Sequence, residues 1–470
     1  MATRFFGGAF FSCQSGILPS KTIYKIRGKV DVDHAITEEQ SRAYGELLMG
    51  HSVMLLGPAG TGKSEFIRHV RKTMPGRMAV LAPTGMAAMN AGLGAVTIHS
   101  LFSIPPVNGG YFDVESFTIR RRTAKILKGI DYLVVDEISM VRPDLFDLME
   151  SMARRARGKE VFFGGICLLL VGDFHQLPPV IRSEERDLFA AHYGSGNAYL
   201  FDAKCLRGRC LSVVQLSKIF RQSSEKFLAI LGCVGGGRIT EEILRELNGR
   251  VLGGATAPKG ALTVTPYRES AEQKNHRELE ALPGVAREYV GEKTGTFQSA
   301  NGDDLPSPEV LSLKEGASVI FTCNASNGEW VNGTGATVLR LGQRRIDVAI
   351  RRGGSAISIS PHEWSHIIPD GDGYEITGTY RQIPLRLGYA LTVHKIQGKT
   401  CDAIVLQRDR SFFAHGQLYV ALSRATSLDA VYLTDPIRAS DVKIDRRVIE
   451  FYENLSADGP ILFPVLPRDE

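Results

Sequence analysis

The sequence predicts an α/β protein with two parallel-sheet lobes, the second interrupted by a small β-rich, barrel-like insertion. Three observations carry this. The runs "SVMLL", "MAVLAP", "DYLVVDE" and "GICLLLVGD" are continuously apolar rather than alternating, and helical segments separate them. Such runs belong to parallel sheets buried on both faces. The texture fades after about Arg221, resumes with "LTVTPYRESAEQKNHREL", and returns from Leu385 in "LGYALTVHKIQGKT", "DAIVLQ", "GQLYVALSRA" and "AVYLTD". Between about Leu311 and Ile368 it gives way to short β-rich runs, "ASVIFTCN", "GATVLRL" and "RIDVAIRR", punctuated by Gly and Asn turns.

Taken in order, the first thirty residues carry Arg4, Lys21, Lys25, Arg27 and Lys29 but no acid. They read as a mitochondrial transit peptide or as a short unstructured arm. A helix is expected over Ile36 to Leu48, with Thr37 of "TEEQ" as its N-cap. "SVMLL" is then a strand, followed by a glycine-rich turn and the helix "SEFIRHVRKTM", which Pro75-Gly76 stops. "MAVLAP" leads into the small-residue helix "GMAAMNAG".

At 470 residues the chain exceeds a single core. Its 43% apolar and 23% charged residues exclude disorder as the main state, and a net charge of +5 is compatible with nucleic acid without requiring it. No apolar run reaches the ~20 residues needed to cross a bilayer. The seven cysteines form no CxxC pair; Cys205 and Cys210 lack a partner pair for zinc, so reduced thiols in an intracellular compartment are expected. Asn324 and Asn332 begin formal glycosylation sequons, read as coincidence without a secretory signal.

"GPAGTGKS" fits the phosphate-loop pattern G-x-x-x-x-G-K-[ST] and lies between a strand and a helix. Gly57, Pro58, Ala59, Gly60, Thr61 and Gly62 curl backbone amides around phosphate; Lys63 reaches the β- and γ-phosphates, and Ser64 offers a hydroxyl to Mg²⁺. "LVVDE" ends a buried strand in two carboxylates, Asp136 suited to the metal and Glu137 to activating water. Together the motifs point to nucleoside triphosphate hydrolysis. Arg221 in "KIFRQ" and Arg424 in "YVALSRA" are candidates for the positive charge a transferring phosphoryl group needs. In "VGDFHQLPPV" the lone His175 has no metal partner or nucleophile beside it, and Pro178-Pro179 stiffen the loop.

The ordered set "GPAGTGKS", "APTGMAAMNAG", "TIHSLF", "VVDEISM", "GDFHQLPPV", "LSKIFRQ", "LTVHKIQGKT" and "YVALSRA" resembles a PIF-family superfamily-one 5′–3′ DNA helicase. "PDLFDLMESMARRARG" resembles that family's signature segment, and the match spans about residues 36 to 434. The resemblance implies two RecA-like lobes with ATP between them and a Src-homology-3-like insertion. It implies that Gln40 reads adenine, that Lys63, Ser64, Asp136 and Glu137 form the ATP and Mg²⁺ site, and that Arg221 and Arg424 are fingers. Gln176 is implied as the γ-phosphate sensor; Thr84, Thr97 and His99 on lobe one, with Thr392, His394 and Lys395 on lobe two, as the DNA-binding set. Ile396 departs from the family's small polar residue.

The expected division is 1–30 arm, 31–215 first lobe, 216–305 and 384–450 second lobe, 306–383 insertion, and 451–470 tail. The resemblance implies a monomer, away from membranes, acting on single-stranded and forked duplex DNA, with G-quadruplex or RNA–DNA hybrid as further substrates. Repair, recombination, replication, telomere and mitochondrial genome maintenance, in nucleus or mitochondrion, are the processes it suggests. An RNA or RNA–DNA helicase and an ATP-gated single-strand-binding displacement factor are the alternatives.

Overall fold

The computed structural model describes residues 36–463, except 92–93, 105–111, 113, 115–116, 197, 223, 259, 296, 298–304, 326–328, 331, 351–353, 355, 371–372 and 456–458. The basic stretch 1–30, read as an arm or transit peptide, lies outside the described residues, as does 464–470.

Strands β1 (Val53–Leu56), β2 (Met78–Ala82), β3 (Val96–Thr97), β4 (Tyr132–Val135), β5 (Cys167–Gly172) and β6 (Cys210–Gln215) form one sheet. Their order is β6-β1-β5-β4-β2-β3, and every neighbouring pair is parallel. The continuous hydrophobicity of these strands has a direct cause. Met54 and Leu56 of β1, with Leu168 and Leu170 of β5, enter a core on one face. Val53 and Leu55, with Leu169 and Val171, enter a separate core on the other. Because strand side chains alternate, a sheet covered on both sides must be apolar at every position. Helices α1 (Glu38–Leu48) and α2 (Lys63–Thr73) cover the second face through Ala43, Leu47, Phe66, Ile67 and Val70, and the helix Pro143–Arg157 covers the first through Phe146, Leu148 and Met149.

The second lobe repeats the plan on a smaller scale. Strand β7 (Leu262–Thr265) lies between Ala390–Thr392 and Ile404–Leu406, with Val431–Leu433 outermost, all parallel. The helices Glu225–Gly235 and Gln417–Leu422 pack on it around Phe227, Val264, Leu406 and Val420. Ile396, the departure from the family pattern, is fully buried in this core, so its apolar character answers to packing.

The β-rich region runs from Arg287 to Leu387. Its five-stranded antiparallel sheet is ordered Ala356–Ile359, Ile346–Ile350, Gly335–Leu341, Ser318–Phe321, Leu385–Leu387, around Val319, Phe321, Val338 and Val348. A long hairpin, His362–Asp370 with Gly373–Gln382, carries Glu292–Gly295 on its edge.

The last described residues return to the first lobe. The helix Arg446–Glu453 contributes Val448 to that lobe's core, and strand Gly459–Leu462 joins the β6 edge antiparallel, Gly459 opposite Val213 and Leu462 opposite Cys210. Among the described residues no helix is long and apolar enough to cross a membrane.

Candidate active site

The phosphate loop, Asp136–Glu137 and the loop Asp173–Gln176 follow β1, β4 and β5, so all stand at the carboxyl edge of one parallel sheet. That edge is where open α/β sheets bind ligands. Gly60 and Gly62 have φ of +88° and +80°, a left-handed backbone that glycine adopts without strain. Gly60 is also required sterically, since a Cβ there would lie 2.6 Å from the Arg221 Cβ. The Thr61 hydroxyl donates to the Pro58 carbonyl at 2.9 Å, and Lys63 Nζ donates to the Gly57 and Pro58 carbonyls at 2.6 and 2.9 Å. Burial pushes the Lys63 pKa down, while the carboxylates of Asp173, Glu137 and Asp136 pull it back up. Ser64 is exposed in the first turn of α2.

Gln40 does two things at once. Its Oε1 accepts from the Thr37 N–H at 3.0 Å while the Thr37 hydroxyl oxygen accepts from the Gln40 N–H at 3.2 Å, a capping box that fixes the start of α1. Its Nε2 faces the phosphate loop, 3.2 Å from where a Cβ on Gly62 would stand.

Asp136 is buried. Desolvation, with Glu137 beside it, raises its pKa to about 7 despite the Glu137 N–H donated to its Oδ1 at 2.9 Å. Glu137 holds a left-handed backbone, φ +52°, unusual for a non-glycine residue and concentrated at functional sites. Its Oε2 accepts from Gln397 Nε2 of the second lobe at 3.3 Å.

Asp173 is fully buried and accepts on Oδ1 from the backbone N–H and Nδ1 of His175, at 3.1 and 3.2 Å. Burial alone would raise its pKa; the His175 bonds and charge and the nearby Lys63 outweigh that and hold it at about 2. Gln176 Nε2 reaches Asp173 Oδ2 at 3.4 Å, and Gln176 Oε1 is buried without a partner. Such an orphaned carbonyl is costly unless a ligand or rearrangement satisfies it.

Arg221 and Arg424 approach from the second lobe. Arg424 is almost fully buried, its Nε donating to the Val420 carbonyl at 2.9 Å, Nη1 to the Lys399 carbonyl at 3.3 Å and Nη2 to the Ser423 hydroxyl at 2.7 Å. Burial and the like charge of Arg221 lower its pKa to about 10, with Glu137 opposing. Arg221 is lowered by burial as well, again opposed by Tyr419 and Glu137. Glu137 thus lies within electrostatic reach of both guanidiniums.

The three threonines expected to bind DNA share a local device. Thr84, Thr97 and Thr392 each accept, at the start of a short helix, a backbone N–H three residues on: Ala87 at 3.1 Å, Ser100 at 3.2 Å and Lys395 at 3.4 Å. Each hydroxyl keeps its proton to donate elsewhere. Burial, with Arg142 nearby, lowers His99 to about 4, and burial lowers His394, so both rings are neutral at pH 7. Lys395, next to His394 in the chain, is half-buried.

Five residues inside the sequence motifs take roles that the motifs alone do not show. Tyr419 donates to Asp173 Oδ2 at 3.0 Å and accepts from the Ala59 N–H at 3.3 Å. Gln397 holds Glu137, and Gln222 Nε2 donates to the Ser423 and Ala425 carbonyls at 3.2 and 3.1 Å, tying the Arg221 segment to the Arg424 segment. Phe220 is 56% exposed yet its ring lies 3.6 Å from the Gly62 Cβ position. Lys399, whose carbonyl holds Arg424, turns its ammonium toward the Gly333 turn of the β-rich region. The sequence signal for all five was their place inside "LSKIFRQ", "LTVHKIQGKT" and "YVALSRA".

A phosphate loop with paired carboxylates on one parallel α/β lobe, and a buried arginine with a half-buried one brought to it from a second, define a two-lobed P-loop nucleotide-binding protein. Residues 35–243 match the family described as PIF1-like helicase. The chain is 32% identical over 424 residues to the ATP-dependent DNA helicase Pif1 of Bdellovibrio bacteriovorus, covering 89% of this chain and 92% of that one. It is likewise 32% identical over 431 residues to mouse ATP-dependent DNA helicase PIF1, but spans only 63% of that protein's length. Among solved structures, Pif1 helicase from Bacteroides in complex with ADP-AlF3 and ssDNA superposes with a TM-score of 0.72 at 29% identity, covering 90% of this chain and 97% of that one. The chain belongs to the PIF1-like helicase family.

Proposed function

We propose that this chain is an ATP-driven motor that tracks single-stranded DNA in the 5′ to 3′ direction and separates duplex ahead of it. The observation that carries the reading is the convergence of Arg221, Arg424, Gln397 and Tyr419 from the second lobe on the Glu137 and phosphate-loop region of the first. A lone nucleotide-binding lobe needs no such set; a motor whose hydrolysis depends on lobe closure does. Lys63 and the amides of Gly60 to Ser64 hold the phosphates, Glu137 orients and deprotonates water, and the two arginines neutralise charge developing on the γ-phosphate. Ser64 and Asp136 are the hard oxygen donors that would hold Mg²⁺, which would supply positive charge to the phosphates. Gln176 senses the γ-phosphate, and Gln40 reads the adenine.

Thr84, Thr97, His99, Thr392, His394 and Lys395 hold the strand by its backbone, so affinity falls with salt and is indifferent to sequence. Each duplex step gives up roughly 0.6–2.2 kcal/mol of stacking, small enough for a one-nucleotide ratchet. The chain acts as a monomer in DNA maintenance, in nucleus or mitochondrion.

The test is unwinding of 5′- and 3′-tailed duplexes with ATP and Mg²⁺, alongside RNA, hybrid and G-quadruplex substrates. Unwinding of the 5′-tailed DNA alone, lost in Lys63→Ala, is the expected result. Equal or better activity on RNA would replace the DNA assignment, and strand-stimulated ATP turnover without separation would make the chain a displacement factor.

A further inference from the structure

The Asp173 carboxylate has hydrogen-bond partners from three parts of the chain. Beyond His175 and Gln176 of its own loop, it receives the Tyr419 hydroxyl on Oδ2 at 3.0 Å and the Tyr452 hydroxyl on Oδ1 at 3.4 Å. Tyr419 rides on the helix Gln417–Leu422 that precedes Arg424 in the second lobe. Tyr452 lies on the helix Arg446–Glu453, beyond every sequence motif of the nucleotide site. Its oxygen also accepts the Phe174 N–H at 3.2 Å, and its ring stacks on His175 at 4.2 Å and 15°.

Where Tyr452 is anchored decides what it can do. Val448 and Phe463 are buried in the first lobe's core, Phe451 packs on Phe174 and Phe201 at 5.2 and 4.6 Å, and Gly459–Leu462 extends that lobe's sheet. Tyr452 therefore moves with the first lobe, whereas Tyr419 moves with the second. If the lobes separate, Tyr419 leaves Asp173 and Tyr452 stays. Gln176 depends on this, because its Nε2 donates to that same carboxylate at 3.4 Å and its Oε1 is buried with no partner among the described residues.

We propose that Tyr452 is a positioning residue for Gln176: it fixes the Asp173 carboxylate, and through it the sensor carboxamide, throughout the cycle of lobe movement. The C-terminal segment is then a working part of the motor and not a tail. The inference rests on the reading of Gln176 as a γ-phosphate sensor. Removing the hydroxyl leaves Oδ1 held by His175 alone, so the carboxylate is less firmly oriented once Tyr419 withdraws, and Gln176 meets the phosphate in a poorer orientation while the phosphate loop itself is untouched.

The test is a double-mutant cycle on the full chain with Tyr452→Phe, Gln176→Ala and their combination, reading ATP turnover on saturating single-stranded oligonucleotide. Phenylalanine keeps the ring, the stack on His175 and the core packing. Tyr452→Phe is expected to lower kcat about tenfold with the KM for ATP within about twofold. In the Gln176→Ala background the same change is expected to add nothing, because the residue it positions has gone. Losses that multiply across the two substitutions, or a Tyr452→Phe enzyme with wild-type kcat, would overturn the proposal. A wild type that hydrolyses ATP but never separates strands would remove the helicase reading while leaving this cycle fully readable.

Discussion

Gly416→Ala tests how closely the second lobe must approach the loop Asp173–Gln176. Gly416 precedes the helix Gln417–Leu422, has φ +71°, and a Cβ there would lie 2.4 Å from the His175 carbonyl oxygen and 2.7 Å from that of Gln176. Ordinary contact begins about 1 Å further out, and both obstacles are backbone, so relief must come from the helix moving away. The same helix leads directly to Arg424. An arginine finger is worth on the order of 10³–10⁵ in rate, and a misplacement of about 1 Å can forfeit about 10² of such a contribution. The expected result is a fall in kcat for ATP of about 10², with nucleotide affinity changed only a few-fold because the phosphate loop is intact. The left-handed backbone adds roughly 1–2 kcal/mol of destabilisation, visible as a small drop in Tm. Steady-state ATPase with a thermal melt measures both. A variant within about twofold of wild-type kcat would show that this approach is not needed for hydrolysis.

Three further expectations use residues to which the motifs assign no role, or conditions outside neutral pH. Phe220→Ala should raise the KM for ATP about tenfold or more, since stacking on a base is worth ~1–3 kcal/mol; an unchanged KM would separate Phe220 from the nucleotide. Lys399 has no hydrogen-bond partner for its ammonium among the described residues, and burial lowers it to about 8, so an anion is its natural complement. Lys399→Met should reduce the slope of log affinity for single strands against log salt by about one; an unaltered slope would rule out a phosphate contact. Because His99 is held at about 4 in the fold and near 6.5 when unfolded, the unfolded chain binds more protons between those values. Stability is therefore complete above about 6.5 and falls as pH drops toward 4. Melts at pH 7 and pH 5 should show a smaller acid loss in His99→Gln than in wild type, and equal losses would contradict the assignment.

Much of this was legible before any fold was known, for a local reason. A phosphate loop works through its own backbone, so the glycines at 60 and 62 that permit its left-handed turns are visible in the string. The doubly buried strands announce themselves because every side chain on β1 is apolar. The capping box of Thr37 and Gln40 spans three residues and is equally readable.

What sequence alone determined, then, is the two-lobed α/β plan, the phosphate-loop motif and the carboxylate pair at the end of β4, with Arg221 and Arg424 as candidates. What only the tertiary structure decided is which distant residues complete them. Ala59 and Tyr419 meet across 360 positions, Glu137 and Gln397 across 260, and Asp173 and Tyr452 across 279. A hydrogen bond at that separation leaves no periodicity or spacing behind, because its geometry is set by how two sheets and a returning C-terminal segment pack. The loop "GDFHQ" shows the difference plainly. The family resemblance points to Gln176, but the fold reveals that Asp173 is the hub, held by tyrosines from two other elements of the chain.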